Sequence, residues 1–371
     1  LCLSPKLLRA EVGRKHKRTA AGLDGVTRLD LLQANDATMQ SLCNLVERAT
    51  TDGAWPKQVI SGRVSSLAKT LDAAEVNQFR PITVFSLVYR CFSSVVARFL
   101  LDWADQWAHP DVFGNRKGHQ TGHLWRTLVS EIQVAHDQGL PLSGITADIE
   151  KCYNCLPRYP ILAIAVHCGV PLPTVVAWSG ALAGMQRRFK IRDSFSGACT
   201  TSTGLAEGCA LSCFGMLLLD DVLHRYVHAM NPSVRVLSFV GNWDFLTFDT
   251  QASLVQLDLL LDFARLADLT VDRKNTFGWS TDAATRGLFR RHAVPVKHHA
   301  RDLGAHVAFT RQRTNRTVTD RLADLEPLWE QLRHSKASFK SKIRALRTVA
   351  WPRGLFGVAS APVGQIGRAS C

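Results

Sequence analysis

Apolar residues recur along this chain with two different periods, and the change of period separates helices from strands. A helical period runs through residues 29 to 50, from about Ser86 onward, from Leu211 to His228 and from Leu254 to Asp268. Extended segments are expected up to Lys69, up to Asp148 and over Val234 to Phe248. The order of these elements indicates an α+β fold with antiparallel pairing rather than a regular parallel α/β sheet.

The segment LSFVGNWDFLTF, residues 237 to 248, has the pattern of a β-hairpin. Apolar residues lead into Gly241-Asn242, and Phe245, Leu246 and Phe248 lead out of it. A Gly-Asn pair between two apolar runs favours a tight turn, so we expect the turn at these two residues.

Two further regions, residues 161 to 185 and 317 to 350, are also expected to be helical. The uncharged run from Ile161 to Met185 is long enough for a membrane span, but Gly169, Pro171 and Pro173 divide it, so we expect two short buried helices and no transmembrane segment. Residues 317 to 350 are expected to form two helices. One has an apolar side of Leu322, Leu325, Leu328, Trp329 and Leu332, and a basic stretch follows with Lys336, Lys340, Lys342, Arg344 and Arg347.

Length and charge indicate the size of the protein and the class of its partner. The 371 residues indicate two or three subdomains, and because the sequence starts at Leu we expect it to be a piece of a longer product. Lys and Arg outnumber Asp and Glu by 45 to 31, a formal net charge of +14. This charge favours a polyanion, with nucleic acid the first candidate and a membrane surface the weaker one. The basic patch at residues 13–18 fits either phosphate contact or a solvated loop.

The ten cysteines are scattered and no secretory signal is seen, which favours a reducing compartment and therefore an intracellular protein, with the nucleus one candidate location. Cys152, Cys155, His167 and Cys168 could be read as zinc ligands. A second pair at finger-like spacing is missing, so we disfavour that interpretation.

Three short motifs allow two interpretations each. Asp148 ends an apolar strand, where it could hold Mg²⁺ or cap the following helix. Gly204 and Gly208 precede a helix, as in a loop that approaches a ligand closely or in an ordinary cap. Arg80 stands before a proline in an extended backbone, either as a triphosphate clamp or as a surface arginine.

The order of the motifs is more specific than any one of them. The chain contains, in sequence, Gly22-Leu23-Asp24-Gly25, Lys69, Phe79-Arg80-Pro81-Ile82, Ala147-Asp148-Ile149, Gly204-Leu205-Ala206-Glu207-Gly208, Phe239-Val240-Gly241-Asn242, Lys274-Asn275-Thr276 and Asp302-Leu303-Gly304. This succession, from about residue 20 to 310, resembles the reverse transcriptase family in its branch of non-LTR retrotransposons and group II intron proteins.

The resemblance implies a right-hand polymerase with fingers, a palm with an antiparallel sheet, and a helical thumb. The implied division is residues 1–70 for the N-terminal segment and start of the fingers, 71–140 for the fingers, 141–310 for the palm and 311–371 for the thumb and a truncated C-terminal segment. The implied partners are an RNA template, a DNA primer and deoxynucleoside triphosphates, with Mg²⁺ (or Mn²⁺) as cofactor.

The resemblance also implies residue roles. Asp148 and the Ile149 carbonyl would bind metal, Lys69 and Arg80 would grip the triphosphate, and the loop from Gly204 to Gly208 would support template and nucleotide. Tyr153 would exclude a ribose 2′-hydroxyl, which disfavours an RNA-dependent RNA polymerase; the alternative is a core tyrosine. Leu303 and Gly304 would form the primer grip, and the basic stretch after residue 335 would follow duplex phosphates or be an ordinary solvated helix face.

Three positions depart from the family pattern. Gly241 stands where the family has a metal-binding acid, with Asn242 as a tolerated variant of the second position. Glu207 replaces a usual Gln. Lys274 lies one place before the expected lysine, which is Asn275 here.

Asp244 could replace the lost acid only from about 10 Å further along the strand, at ~3.3 Å per residue, which disfavours rescue. We therefore expect the reverse-transcriptase domain of a retroelement whose RNA-templated DNA synthesis is impaired. The alternative is a non-catalytic, maturase-like RNA-binding protein or pseudo-polymerase.

Overall fold

The computed structural model describes residues 3–69, 74–311 and 316–360. The first part contains α1 (Pro5–Arg14), α2 (Arg28–Gln33), α3 (Asp36–Asp52), α4 (Lys57–Ile60), β1 (Ser61–Ala68), β2 (Phe79–Val84), α5 (Leu87–Ala104) and α6 (Thr121–Gln138). The middle contains β3 (Ser143–Asp148), α7 (Cys152–Cys155), α8 (Arg158–His167), α9 (Leu172–Gly184), β4 (Gln186–Ile191), β5 (Ser194–Phe195), α10 (Ala210–Met230), β6 (Arg235–Phe239), β7 (Asn242–Thr247), α11 (Val255–Leu266) and β8 (Phe277–Ser280). The last part contains α12 (Ala283–Arg291), β9 (His299–Asp302), β10 (Ala305–Ala308), α13 (Arg316–Ala323), α14 (Glu326–His334), α15 (Phe339–Ala345) and α16 (Trp351–Gly354).

The strands form two four-stranded sheets and one separate hairpin. The central sheet has the order β6-β7-β3-β8 and is antiparallel throughout. The outer sheet has the order β2-β1-β4-β5, in which β1 runs antiparallel to β2 and parallel to β4. β9 and β10 pair only with each other within the described residues. The fold thus mixes α and β structure with mainly antiparallel sheets, as the sequence pattern predicts.

The central sheet separates two hydrophobic cores. On one face, Ile145, Ala147, Trp243 and Phe245 belong to the larger core, which includes α5 and α10. On the other face lies a smaller core that contains residues from α6, β8, β9 and β10. Since both faces of β3 are covered, the near-continuous burial of this strand follows.

Local signals account for the ends of the main helices. Ser86 accepts a hydrogen bond from Val88 N and caps α5, so the expected start of that helix near Ser86 is confirmed. Gly53 takes a left-handed φ of 75° at the end of α3. The single helix expected over 29 to 50 is wrong in detail, because Asn35 caps a new helix and divides the segment into α2 and α3.

Of the other expected elements, the structure confirms some and contradicts others. The helix expected over 211 to 228 is confirmed as α10, and the two short helices expected over 161 to 185 are confirmed as α8 and α9. The expected burial holds only in part, because Ile161 and Ala165 are the buried residues of α8. The turn expected at Gly241-Asn242 is wrong by one residue. Phe239 pairs with Asn242, so the turn is Val240-Gly241 and Asn242 is the first residue of β7. Residues 317 to 350 also form more than two helical pieces, with a π-helical turn over Leu346–Ala350.

An ion cluster holds α1 against α5. The side chain of Glu11 is 3% exposed and pairs with Arg98, with Lys15 at 3.0 Å and with Arg14 at 3.4 Å. Burial alone would raise the pKa of Glu11, but its hydrogen bonds with Arg98 and Lys15 lower it below the ordinary value. Two cations of the basic patch therefore neutralise a buried carboxylate inside the fold.

The described residues contain no candidate membrane-spanning helix, and their cysteines are not paired. No helix in the described ranges combines the length and the apolar character that crossing a bilayer requires. The eight cysteines in this part of the chain are free thiols. Cys152 contacts the sulfur of Met216 at 3.3 Å, and no group of zinc-like ligands is found among the described residues.

Candidate active site

Three polar residues lie abreast across neighbouring chain segments at the end of β3. Asp148 is directly opposite Asn242 in the β3–β7 ladder. On its other side, Asp272 N donates to the Asp148 carbonyl at 2.8 Å, next to an antiparallel bridge between Ile149 and Val271. Because directly opposed residues of an antiparallel ladder share a face, the side chains of Asn242, Asp148 and Asp272 project to the same side.

The hairpin tip lies against this row. Ile149 N donates to the Gly241 carbonyl at 2.9 Å. Because the N–H and C=O of one strand residue point toward the same neighbouring strand, the carbonyl of Ile149 also points toward the hairpin. Val240 has a φ of 58°, an uncommon conformation for a β-branched residue. A Cβ atom on Gly241 would lie 3.0 Å from the Cβ and 3.3 Å from the Sγ of Cys152. The space for a side chain at 241 is therefore tight.

The electrostatics of Asp148 reflect this position. Burial and the negative charge of Asp272 raise the pKa of the half-buried Asp148 carboxyl above its ordinary value. The Ile149 N–H and the Lys69 ammonium act in the opposite direction. The balance leaves a carboxylate that would be stabilised by an added cation.

Divalent cations in a polymerase site activate the attacking hydroxyl and neutralise the triphosphate. The donor set here does not fit such a pair of ions. Gly241 offers no carboxylate, and the oxygens of Asp272 already accept from the N–H groups of Lys274 and Asn275 and from the Asn275 side chain. Over the described residues, no group of three or more His, Cys, Asp or Glu side chains is placed to hold a metal.

The outer sheet carries the two expected triphosphate ligands. Arg80 pairs with Leu67 across the β1–β2 ladder, and Lys69 N donates to Gln78 O at 2.8 Å. This register puts the side chains of Lys69 and Arg80 on the same face as diagonal neighbours. Arg80 is exposed, and Lys69 is near enough to lower the pKa of Asp148.

The glycine loop is held between β2 and α7. Gly204 has a φ of +81°, and a Cβ there would lie 2.3 Å from the Asn154 carbonyl oxygen. Gly208 has a φ of +109°, and a Cβ there would lie 2.4 Å from the Thr83 carbonyl oxygen. Only glycine satisfies both the backbone angle and the space at these positions. The carboxylate of Glu207 accepts from Asn154 Nδ2 at 2.7 Å, so its charge is turned toward α7.

Tyr153 lies under the glycine loop. Its carbonyl accepts from Leu205 N at 2.7 Å, and its hydroxyl accepts from Asn115 Nδ2 at 3.4 Å. Burial, with the nearby Cys213 thiol, raises the pKa of Tyr153 well above its ordinary value. The phenol is therefore neutral and anchored at its hydroxyl end.

The remaining expected residues lie further from the row. Lys274 is exposed in the turn that follows Asp272. Leu303 and Gly304 form the turn between β9 and β10, with φ values of 42° and 84°. The carbonyl of Gly304 accepts from Arg321 Nη2 at 2.6 Å, which ties this turn to the C-terminal helices.

Sequence reasoning missed Asp272 and the proximity of two buried carboxylates, Asp244 and Asp302. Asp244 accepts from Thr146 Oγ1 at 2.6 Å, two ladder positions inward from Asp148, and is fully buried. Asp302 is 3% exposed, and the Oδ2 atoms of both carboxyls have no hydrogen-bond partner among the described residues. Burial raises both pKa values, that of Asp302 to about 7, and the charge of Asp302 raises the pKa of Asp244 further. In the sequence, Asp244 stands out only as a replacement metal ligand, and an acid inside a mainly apolar strand is the signal that could have indicated its burial.

The central sheet therefore has a middle strand that ends in an aspartate beside a hairpin tip, with the glycine loop and the β9–β10 turn as further parts of the candidate site. No protein-family model matches the chain. The chain is similar to telomerase from Candida tropicalis in complex with the TWJ fragment of telomeric RNA, at 11% identity, with a TM-score of 0.50 and coverage of 88% of this chain and 58% of that one.

Two apo telomerase structures from the same organism are also similar. The structure truncated from the C-terminal domain has 12% identity, a TM-score of 0.48 and coverage of 74% of this chain and 59% of that one. The other has 12% identity, a TM-score of 0.47 and coverage of 74% and 52%. The chain thus spans between 52% and 59% of the length of these telomerase chains. Telomerase is a reverse transcriptase, and the likeness at a TM-score of 0.50 shows that this chain has a reverse-transcriptase-like fold.

Proposed function

We propose that this chain is the reverse-transcriptase region of a retroelement of the non-LTR or group II intron type. In this proposal an RNA template and a DNA primer pass the end of β3, and deoxynucleoside triphosphates bind between Lys69, Arg80 and the glycine loop. The observation that carries the proposal is the contact of the hairpin tip with the strand of Asp148, through the 2.9 Å hydrogen bond from Ile149 N to Gly241 O. The net charge of +14 agrees with a polyanionic partner.

We infer further that nucleotidyl transfer is impaired. The support is the missing carboxylate at Gly241 and the engagement of the Asp272 oxygens with backbone N–H groups. Disturbing an outer partner of a metal ligand typically costs about 10- to 100-fold in affinity or activity. Loss of a direct carboxylate ligand should cost more, so that Mg²⁺ or Mn²⁺ binds weakly at Asp148.

Primer extension tests this proposal. A labelled DNA primer on an RNA template is incubated with deoxynucleotides and Mg²⁺, and separately with Mn²⁺, and wild type is compared with Gly241→Asp and Gly241→Asn. The Asn variant matches the Asp variant in shape and lacks its charge. Because a new Cβ would lie 3.0 Å from the Cβ of Cys152, Gly241→Asp combined with Cys152→Gly is a fourth variant.

The expected result is synthesis by one or both Asp variants above the background shared by wild type and Gly241→Asn. Equal, robust synthesis by wild type and Gly241→Asp would refute the inference of impairment. Ribonucleotide preference in the Asp variants would instead favour an RNA-dependent RNA polymerase.

The second candidate is a non-catalytic, maturase-like RNA-binding protein that uses the same cleft. The observation that favours it is the same glycine at the tip, combined with the excess of basic residues. Filter binding of structured RNA with a steep salt dependence, without incorporation by any variant, would favour this candidate.

A further inference from the structure

A cavity of about 470 Å³ opens beside the N-terminus of α6, and we call it the α6 pocket. It is lined by Phe113, Lys117, His119, His123, Arg126 and Thr127. Its volume lies in the range of about 300–1,000 Å³ that is usual for small-ligand sites. Nothing in the expected set of polymerase residues uses it.

The pocket is basic. None of its described lining residues is acidic, and two of them are permanent cations. Lys117 Nζ lies 3.7 Å from Asp102, but these side chains are 83% and 51% exposed, so the pair is weak. Arg126 donates its Nε to Gly122 O at 2.9 Å, which orients the guanidinium at the first turn of α6. A bound anion would therefore meet an ammonium and an oriented guanidinium.

His119 and His123 also line the α6 pocket. The Nδ1 atom of His119 is buried and has no hydrogen-bond partner among the described residues. His123 Nδ1 accepts from Gln120 N at 3.0 Å, and the two rings lie 5.5 Å apart. Burial lowers the pKa of His119, and the positive charges of Arg116 and His123 lower it further. The His119 ring is therefore held neutral, and the positive charge of the pocket comes from Lys117 and Arg126.

The loop at the pocket also borders the candidate active site. Phe113 N donates to Ser238 O on the outer edge of β6 at 2.8 Å. A Cβ atom on Gly114 would lie 2.5 Å from Val240 N, so the loop packs directly on the hairpin tip. An anionic strand that passes the tip would therefore pass the pocket next.

We propose that the α6 pocket binds a phosphodiester group of the nucleic-acid strand that lies beside the hairpin tip. This proposal rests on the proposed function and adds a specific subsite to it. Lys117 and Arg126 contact the phosphate oxygens, and the rings of His119 and His123 line the pocket beside them. The same phosphate chemistry could come from inorganic phosphate or a free mononucleotide, so the test includes both.

The test is fluorescence anisotropy of labelled single-stranded oligonucleotides with the full chain over a salt series. Lys117→Ala combined with Arg126→Ala is compared with Arg48→Ala combined with Lys57→Ala, a control pair of exposed cations with the same charge change. The pocket pair is expected to weaken binding about tenfold and to make the log–log salt slope shallower by about one to two. The control pair should change affinity less than about twofold.

A local measurement accompanies the affinities. The ring ¹⁵N resonances of His119 should shift when the oligonucleotide is added to wild type, and the shift should disappear in the pocket pair. Equal weakening by both pairs, or no shift at His119, would overturn the pocket proposal while nucleic-acid binding stands. Displacement of the oligonucleotide by equimolar phosphate or mononucleotide would overturn the proposal that the pocket binds a phosphate group within a nucleic-acid strand. If wild type binds no oligonucleotide, the proposed function itself fails.

Discussion

The buried pair of Asp244 and Asp302 allows a quantitative prediction about stability and pH. Asp302 is the last residue of β9, where burial raises its pKa to about 7, the Leu303 N–H opposes the shift and the charge of Asp148 adds to it. Burial and then Asp302 also raise the pKa of Asp244. In the unfolded chain, both acids lose their protons near the ordinary value of about 4.

The sign follows from linkage. A raised pKa in the folded protein means that the unfolded state releases the proton first, so the contribution of Asp302 to stability falls as pH rises from about 4 to about 7. Each pKa unit corresponds to about 1.36 kcal/mol, so a rise from 3.8 to about 7 amounts to roughly 4 kcal/mol at pH 8. Roughly 2 kcal/mol of this loss is already present at pH 5. Asp302→Asn removes the charge and keeps the shape.

The assay is urea unfolding followed by tryptophan fluorescence at pH 5 and pH 8. Relative to wild type, Asp302→Asn should gain about 2–3 kcal/mol more at pH 8 than at pH 5. Asp193→Asn, which removes an exposed carboxylate from the β4–β5 turn, is the matched control and should show no such difference. A stability difference between Asp302→Asn and wild type that is the same at both pH values would refute the reasoning.

Three further predictions can be checked with the same unfolding assay. Gly208→Ala should cost about 3 kcal/mol or more, because its φ is +109° and a backbone oxygen lies 2.4 Å from the new Cβ, whereas Gly197→Ala, in open space, should cost less than about 1 kcal/mol. Asp220→Asn should not destabilise the protein at pH 7, since burial raises the pKa of Asp220 well above the ordinary value and the amide oxygen can still accept from Trp243 Nε1; a loss above about 2 kcal/mol would contradict this. Glu11→Gln should cost about 1–3 kcal/mol at pH 7 and progressively less as pH falls below 4.5, because Glu11, with its lowered pKa, contributes stability only while its carboxylate is charged. A cost that is unchanged at low pH would contradict this prediction.

Much of the central fold could be predicted from local pattern. The apolar run that ends at Asp148, the Ser86 cap before α5 and the prolines between α8 and α9 are short-range features, and each acts where the sequence places it. The hairpin was predicted for the same reason. Its turn was misplaced by one residue because Gly-Asn favours a turn, whereas the register of β6 with β7 requires Val240 at a φ of 58°.

The candidate site was only partly predictable, because its geometry depends on pairing between distant segments. Asp272 lies 124 positions after Asp148 in the chain, and only the bridge between Ile149 and Val271 brings it beside that residue. The pair of Asp244 and Asp302 likewise requires the β9–β10 hairpin to pack on the central sheet. Spacing along one strand carries no information about such partners.

The geometry separates what keeps this fold from what would make it catalytic. Gly204 and Gly208 are required by backbone oxygens 2.3 Å and 2.4 Å from any added Cβ, so packing alone preserves the glycine loop. The hairpin tip is held by a backbone hydrogen bond from Ile149 that any residue at 241 could make. A carboxylate at 241 adds nothing to either contact and would meet Cys152. Under the proposed function, a glycine at 241 in place of an acid therefore leaves the surfaces that would position a nucleic acid intact, so the fold is stable without the catalytic group.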